Sequence, residues 1–253
     1  MTEERADRPA TADPDAWGVR RTSFGSGADA YAVGRPSYPA EAVRWCLPDG
    51  ARRVLDLAAG TGRLTGRLVE LGLDVVAVEP LAEMRAHVPT PAEALDGTAE
   101  AIPLDDASVD AVLVGQAFHW FDVPRAMTEI SRVLRPGGTL GLLWNLIDDT
   151  APWMDVLAEA MAAEERLSTL QEDQAAPYAD APGMGPAERR IFRHEETYDG
   201  DRLTAFVLSR SQTILASDDD REAMLAAVRE VTPPGEFALP LVCEAWRGER
   251  LPG

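Results

Sequence analysis

The residues 54–65, VLDLAAGTGRLT, put a carboxylate, Asp56, just ahead of two glycines, Gly60 and Gly62, where an apolar run gives way to helical spacing. Glycine lets a backbone approach a ligand closely. A helix that starts just after the turn adds free N–H groups and a partial positive charge. Such a turn can hold an anionic group on its amides and a cationic group on Asp56. The next glycine, Gly66, comes one residue too late for the G-x-G-x-x-G pattern of dinucleotide sites. A second carboxylate, Glu79, ends the next apolar run, VVAVEP, 19 residues after Gly60. An acid at that place accepts hydrogen bonds from both hydroxyls of a ribose. Nicotinamide dinucleotide sites share this acid, and a surface carboxylate at a helix start would also look like it.

A carboxylate at position 56 suits a cationic group better than a pyrophosphate. S-adenosylmethionine carries an α-ammonium, a carboxylate and no phosphate, and it meets these terms. In GTAEAIPL (97–104), Ala99 and Glu100 then fall beside the adenine, with Met84 either packed on the ring face or filling the core. In GQAFHWFD (115–122), Gln116, Phe118, His119, Trp120 and Phe121 crowd the place nearest a transferable methyl. His119 reads as a base, a substrate ligand or a structural hydrogen-bonding group. Trp120 is placed to shield a sulfonium with its π face. Trp144 and Asn145 are expected to face the same pocket, and Arg35 or Arg210 to grip an anionic substrate in bidentate fashion. A solvated helix face is the plainer reading of Arg210.

The elements that must position these residues alternate. Buried strands are expected at 53–59, 74–80, near 93–97, at 108–118 and at 139–145, where short apolar runs are bounded by turn residues. Helical spacing fits 39–47, 61–72 and 80–88, the last with Pro80 at its start. Asp122 caps a further helix with Val123, Ala126, Met127, Ile130, Val133 and Leu134 as its apolar stripe, and RPGG (135–138) breaks it. Five strand–helix alternations imply an open parallel sheet with helices on both faces, and ligands bind where the strand order reverses. Residues 150–185 read as helix and then loop. A sixth strand is expected at 189–198, helices near 201–212 and 218–230, and an edge-like final strand at 236–247. Residues 1–28 read as a flexible lead-in. Residues 29–253 read as a single domain, with 29–146 as the cofactor-binding core and 147–235 partly a cap.

Composition narrows the partners. The formal net charge is −19, which disfavours a phosphate backbone or an anionic membrane surface. All 24 basic residues are arginine, so lysine Schiff-base chemistry and a P-loop lysine are excluded. Cys46 and Cys243 read as separate reduced thiols, with no zinc spacing, and no metal is expected. The first residues carry no apolar stretch and no apolar run reaches membrane-spanning length, so a cytoplasmic protein is expected. The oligomeric state is left open.

In this order, VLDLAAGTG, VVAVEP, GTAEAIPL with SVDAVLV, QAFHWFD and VLRPGG resemble class I methyltransferases of the type 11 group. YAVGRPSYP, QAFHWFD and LLWN are similar to the trans-aconitate methyltransferase-like branch. The resemblance is strong over residues 29–146 and looser beyond. It implies a Rossmann-like three-layer α/β sandwich, a mostly parallel seven-stranded sheet with an antiparallel last strand, and a helical cap. It further implies that Asp56, Gly60 and Gly62 surround the amino-acid end of S-adenosylmethionine. Glu79 would hold its ribose and Ala99 and Glu100 would lie beside its adenine. Tyr31 and Arg35 would fold over it, and Thr61, Pro80, Gln116, Ala117 and Phe118 would complete the contacts. Ala58 stands where the family usually has the first glycine of the loop.

The expected activity is methyl transfer to a small-molecule oxygen or nitrogen, a carboxylate among the candidates, leaving S-adenosylhomocysteine. Two rivals follow from the same residues: an NAD(P)-dependent oxidoreductase, and a non-catalytic S-adenosylmethionine-binding protein.

Overall fold

The computed structural model describes residues 32–148, 156, 157, 159, 183–210, 213, 214 and 216–252. The expected lead-in (1–28), Tyr31 and most of the stretch 150–185 lie outside the described residues.

Helix α1 (Ala40–Cys46) buries Ala42, Val43 and Cys46, the side its spacing predicted. The alternation then runs β1 (Arg53–Leu57), α2 (Arg63–Glu70), β2 (Asp74–Val78), α3 (Ala82–Arg85), β3 (Glu93–Leu95), β4 (Val109–Gly115), α4 (Val123–Val133) and β5 (Leu134–Ile147). The chain continues through β6 (Glu188–Tyr198), α5 (Gly200–Leu208), α6 (Asp218–Val231) and β7 (Phe237–Glu249). Three helices start at side-chain caps. Asp122, Asp199 and Ser217 accept hydrogen bonds from the backbone N–H of Arg125, Arg202 and Asp220, each satisfying a donor that the first turn leaves orphaned.

The strands form one sheet in the order β3-β2-β1-β4-β5-β7-β6. Strands β1 to β5 pair in parallel, and β7 runs antiparallel to both β5 and β6. The order reverses between β1 and β4, the crevice where a parallel sheet of this kind holds its ligand. Side chains alternate across the sheet with period two. Leu55, Leu57, Val112, Val114, Leu140, Leu142 and Trp144 pack on one face with the α4 residues Ala126, Met127, Ile130 and Val133. Val54, Ala111, Leu113, Leu143 and Cys243 pack on the other with α1 and the α2 residues Leu64 and Leu68. A third cluster joins α5 and α6 to β7 through Leu203, Phe206, Val207, Val228, Leu239 and Leu241.

Three expectations need correction. The final strand is not an edge: β7 lies between β5 and β6, and β6 is the edge. Its near-continuous burial from Leu241 to Ala245 reflects that interior place. Leu134 is not part of the helical stripe. Helix α4 ends at Val133, and β5 takes in Leu134 and the RPGG turn, with an irregularity in register opposite Val109 and Ala111. Pro80 does not open α3: the residue before that helix is Leu81, and the helix is four residues long.

Candidate functional site

At the C-terminal end of β1 the chain takes three left-handed steps, with φ of 57° at Ala58, 57° at Gly60 and 80° at Gly62. Glycine enters that region freely and alanine does not. Gly62 has a second reason to be glycine, since a Cβ there would stand 2.5 Å from Pro89 Cδ and 3.1 Å from Val88 Cα. The turn is pinned to β2. Ala59 N–H donates to Val78 O at 3.1 Å, and Gly60 N–H donates to Glu79 Oε2 at 2.9 Å. The other oxygen, Glu79 Oε1, accepts from Leu81 N–H at 2.9 Å. Glu79 thereby braces the turn with both of its carboxylate oxygens.

Asp56 is 1% exposed. Its Oδ2 accepts from Thr65 Oγ1 at 2.5 Å, whereas its Oδ1 is buried with no partner among the described residues. Burial raises its carboxyl to about 7. The Thr65 hydrogen bonds work against that rise, and the nearby Glu79 charge adds to it.

A cleft opens beside this turn. Asp56, Ala58, Ala59 and Gly60 supply its floor, and Arg63 and Leu64 one side. Gly115, Gln116 and Asn145 close the β4–β5 side, and Arg35, Pro36 and Tyr38 of the N-terminal segment form the remaining wall. Gln116 holds a left-handed φ of 60° and donates from Nε2 to Asn145 O at 2.6 Å. Asn145 donates from Nδ2 to Ser37 O at 2.8 Å. A carbonyl only accepts, so this contact fixes the amide orientation. Asn145 Oδ1 is thereby left as a second buried acceptor without a partner among the described residues. Gly115 allows the close approach of Tyr38, whose Oη would be 2.4 Å from an added Cβ.

The structure brings together Arg35, Asp56, Ala58, Gly60, Gln116 and Asn145 around one cleft, with Gly62 and Glu79 supporting the same turn. Thr61 is 6% exposed, and its Oγ1 has no partner among the described residues. Pro80 is partly buried next to Glu79, and Met84 and Ala99 are buried at 3% and 4% exposure. Glu100 Oε1 accepts from Asp122 N–H at 3.0 Å, tying the β3 side of the site to the segment after β4. Arg210 lies with its guanidinium 6.0 Å from the Phe206 ring, and Arg35 lies 5.6 Å from the same ring.

Other assignments change. Phe118 is 1% exposed and packs in the core against Phe121, ring centroids 5.6 Å apart, with Ala117 beside it. Trp144 does not share a pocket with Asn145, because neighbours on a strand face opposite ways. Trp144 lies in the α4-side core, and its buried Nε1 has no partner. His119 sits on a 3-10 turn (Phe118–Trp120) with its ring 4.7 Å from that of Trp120, and it does not line the cleft. Surrounding protein lowers its imidazole to about 4. The side chain nonetheless keeps an exposed edge where water solvates the imidazolium, so the depression is smaller than full burial would give, and the neutral ring prevails at pH 7.

Residues absent from the sequence reading also shape the site. Thr65 orients Asp56, and Arg63 and Tyr38 line the cleft. Tyr38 belongs to the YAVGRPSYP motif, so its place in that motif was a usable signal. Thr65 follows Asp56 by nine residues, and only the tertiary fold brings the two together.

This arrangement, a glycine turn after β1, an acid after β2 and a cleft at the switch point of a 3-2-1-4-5-7-6 sheet, defines a class I methyltransferase fold. A family model described as "Methyltransferase domain" matches residues 55–142. An uncharacterized methyltransferase of Mycobacterium tuberculosis is 48% identical over 217 residues, covering 83% of this chain and 85% of that protein. Another, from Schizosaccharomyces pombe, is 30% identical over 209 residues, covering 79% and 83%. A solved type II methyltransferase structure from Anaeromyxobacter dehalogenans superposes with a TM-score of 0.64 at 24% identity, covering 87% of this chain and 99% of that one. The chain belongs to the methyltransferase family. The matches carry that family and not the trans-aconitate methyltransferase-like branch within it.

Proposed function

We propose that this protein uses S-adenosylmethionine to methylate a small-molecule oxygen or nitrogen. The observation that carries the reading is the pair of buried acceptors without partners among the described residues, Asp56 Oδ1 and Asn145 Oδ1, on residues that line the cleft beside the glycine turn. Unsatisfied buried acceptors are costly unless a ligand donor meets them. An α-ammonium suits the Asp56 carboxylate, which it would hold ionised. The ligand's carboxylate suits the start of α2, and Glu79, an acid at the end of β2 beside the turn, suits a ribose diol. Ala99 and Glu100 remain the proposed neighbours of the adenine.

When bound, the cofactor supplies an activated methyl electrophile. The chain's own residues then need to align the acceptor and exclude water. Asn145 Oδ1 offers the acceptor molecule a hydrogen-bond site, and Arg35, in the wall of the same cleft, is the proposed contact of the cofactor and can also meet an anionic acceptor. A carboxylate acceptor needs no base. For a phenol, alcohol or amine, neutral His119 is the proposed proton acceptor, and it would have to be reached from the exposed side of its turn. The expected setting is the cytoplasm. Among the described residues no helix is long and apolar enough to cross a membrane.

Isothermal calorimetry with S-adenosylhomocysteine and with NADH tests the reading. Binding of the first alone supports it, and binding of NADH in its place overturns it in favour of an oxidoreductase. A screen of S-adenosylhomocysteine release across acceptor classes then separates a turning-over enzyme from a protein that only binds.

A further inference from the structure

The wall of the cleft formed by residues 33–38 pairs with no strand among the described residues, and side chains from elsewhere in the chain hold its backbone. Val33 O accepts from Arg63 Nη2 at 2.9 Å, and Gly34 O accepts from Tyr198 Oη at 2.6 Å. Ser37 N–H donates to Glu196 Oε1 at 2.6 Å, and Tyr38 O accepts from Arg67 Nε at 2.7 Å. Ser37 O takes the Asn145 contact already described. Two of these anchors, Glu196 and Tyr198, come from the end of β6, more than 150 positions away in sequence.

The anchors are themselves fixed. Glu196 pairs through Oε2 with Arg202, whose guanidinium lies 4.0 Å from the Tyr198 ring centroid and also donates to Thr197 O at 2.6 Å. Gly34 lies directly on α5: a Cβ there would stand 2.2 Å from Phe206 N. Arg35, the next residue, reaches α5's end, donating from Nη2 to Ser209 O at 3.0 Å. The segment between the anchors at Gly34 and Ser37 contains Arg35 and Pro36, both of which line the cleft.

We infer that Glu196 and Tyr198 are positioning residues for the cofactor site: they hold the 33–38 segment against α5 so that Arg35 is presented to the cleft. The inference rests on the S-adenosylmethionine reading above. Neither residue lines the cleft, and both act through the segment they hold. The end of β6 and the start of α5 thereby become part of the apparatus that sets cofactor affinity, although they lie in the part of the chain expected to serve the acceptor.

The test is calorimetric titration of the full chain with S-adenosylhomocysteine, with melting temperatures measured alongside. Tyr198→Phe keeps the buried ring and removes only the hydroxyl that holds Gly34 O. It is expected to weaken binding about 5- to 10-fold. Glu196→Gln keeps an acceptor for Ser37 N–H and loses the charge pair with Arg202, so its effect is expected to be smaller than that of Glu196→Ala. The deciding measurement is a double-mutant cycle with Arg35→Ala. If Tyr198 acts through Arg35, Tyr198→Phe adds no further loss in that background. Unchanged affinity in Tyr198→Phe, or losses that simply add in the cycle, would overturn the inference while leaving the cofactor reading intact. Failure of the unsubstituted protein to bind S-adenosylhomocysteine would overturn the cofactor reading itself.

Discussion

Asp56 makes the cofactor site sensitive to pH in a direction that follows from its surroundings. Its carboxyl stands at about 7, raised from 3.8 mainly by burial. The folded protein therefore binds a proton at Asp56 between pH 4 and 7 that the unfolded chain has released, and this group's contribution to stability falls as pH rises through that window. At 1.36 kcal/mol per unit, the loss from Asp56 amounts to about 4 kcal/mol by pH 7. Asp56→Asn removes the titration. Measured by urea denaturation, the variant and the parent are expected to match near pH 4, and the variant to be the more stable by a few kcal/mol at pH 8. Ligand binding inverts the preference, because an ammonium beside Asp56 favours the ionised form. Protonated Asp56 competes with that state, so S-adenosylhomocysteine affinity is expected to rise about 10-fold from pH 6 to pH 8 and then level off. Calorimetry at pH 6 in buffers of different ionisation enthalpy should show release of about 0.9 proton per ligand bound, the protonated fraction expected one unit below the pKa. An affinity flat across this range, with no proton release, would refute the assignment of Asp56 to the ammonium.

Further outcomes follow from single residues. Ala58→Gly relieves a left-handed alanine at φ 57°, worth about 1–2 kcal/mol, against about 0.4–1 kcal/mol of added unfolded-state entropy. A small net gain in the denaturation midpoint is expected, and a loss would show that the Ala58 methyl makes compensating contacts. Gly115→Ala drives a Cβ to within 2.4 Å of Tyr38 Oη, so S-adenosylhomocysteine binding should drop markedly, as titration will show. The surroundings of His119 lower its imidazole below the ordinary 6.5, so the ring is mainly neutral at pH 7–8. Once an acceptor is known, the rate should show no inflection from His119 in that range, and His119→Ala should slow turnover of an alcohol or amine but not of a carboxylate. Cys46 is fully buried with its thiol raised to about 12, and Cys243 is equally buried with its thiol raised well above 9. Neither should react with a thiol reagent until denaturant is added.

The parts of this protein governed by local pattern were legible in its sequence. The strand–helix alternation from Arg53 to Ile147 was readable because buried parallel strands are short apolar runs and their helices show a stripe, as Ala126, Met127, Ile130 and Val133 do. The glycine turn, Asp56 and Glu79 were readable because their chemistry lies within one strand–turn–helix unit each. What escaped depends on contacts distant in sequence. The interior place of β7 is a matter of pairing, which alternation alone cannot assign. The separation of Trp144 from Asn145 followed from period two and was within reach. The hold of Glu196 and Tyr198 on the 33–38 segment had no local signal, since each residue looks like an ordinary strand-end side chain until the sheet is assembled.

The insertion of β7 between β5 and β6 has a consequence for how the molecule is made. Among the described residues strand β6 pairs with no strand but β7, so its pairing waits until residues 237–249 have been made. The wall that Glu196 and Tyr198 hold in place therefore cannot be complete before then. A nascent chain finishes its ligand cleft last, and loss of the final strand would leave β6, and the two anchors it carries, without the pairing that sets them beside the cleft.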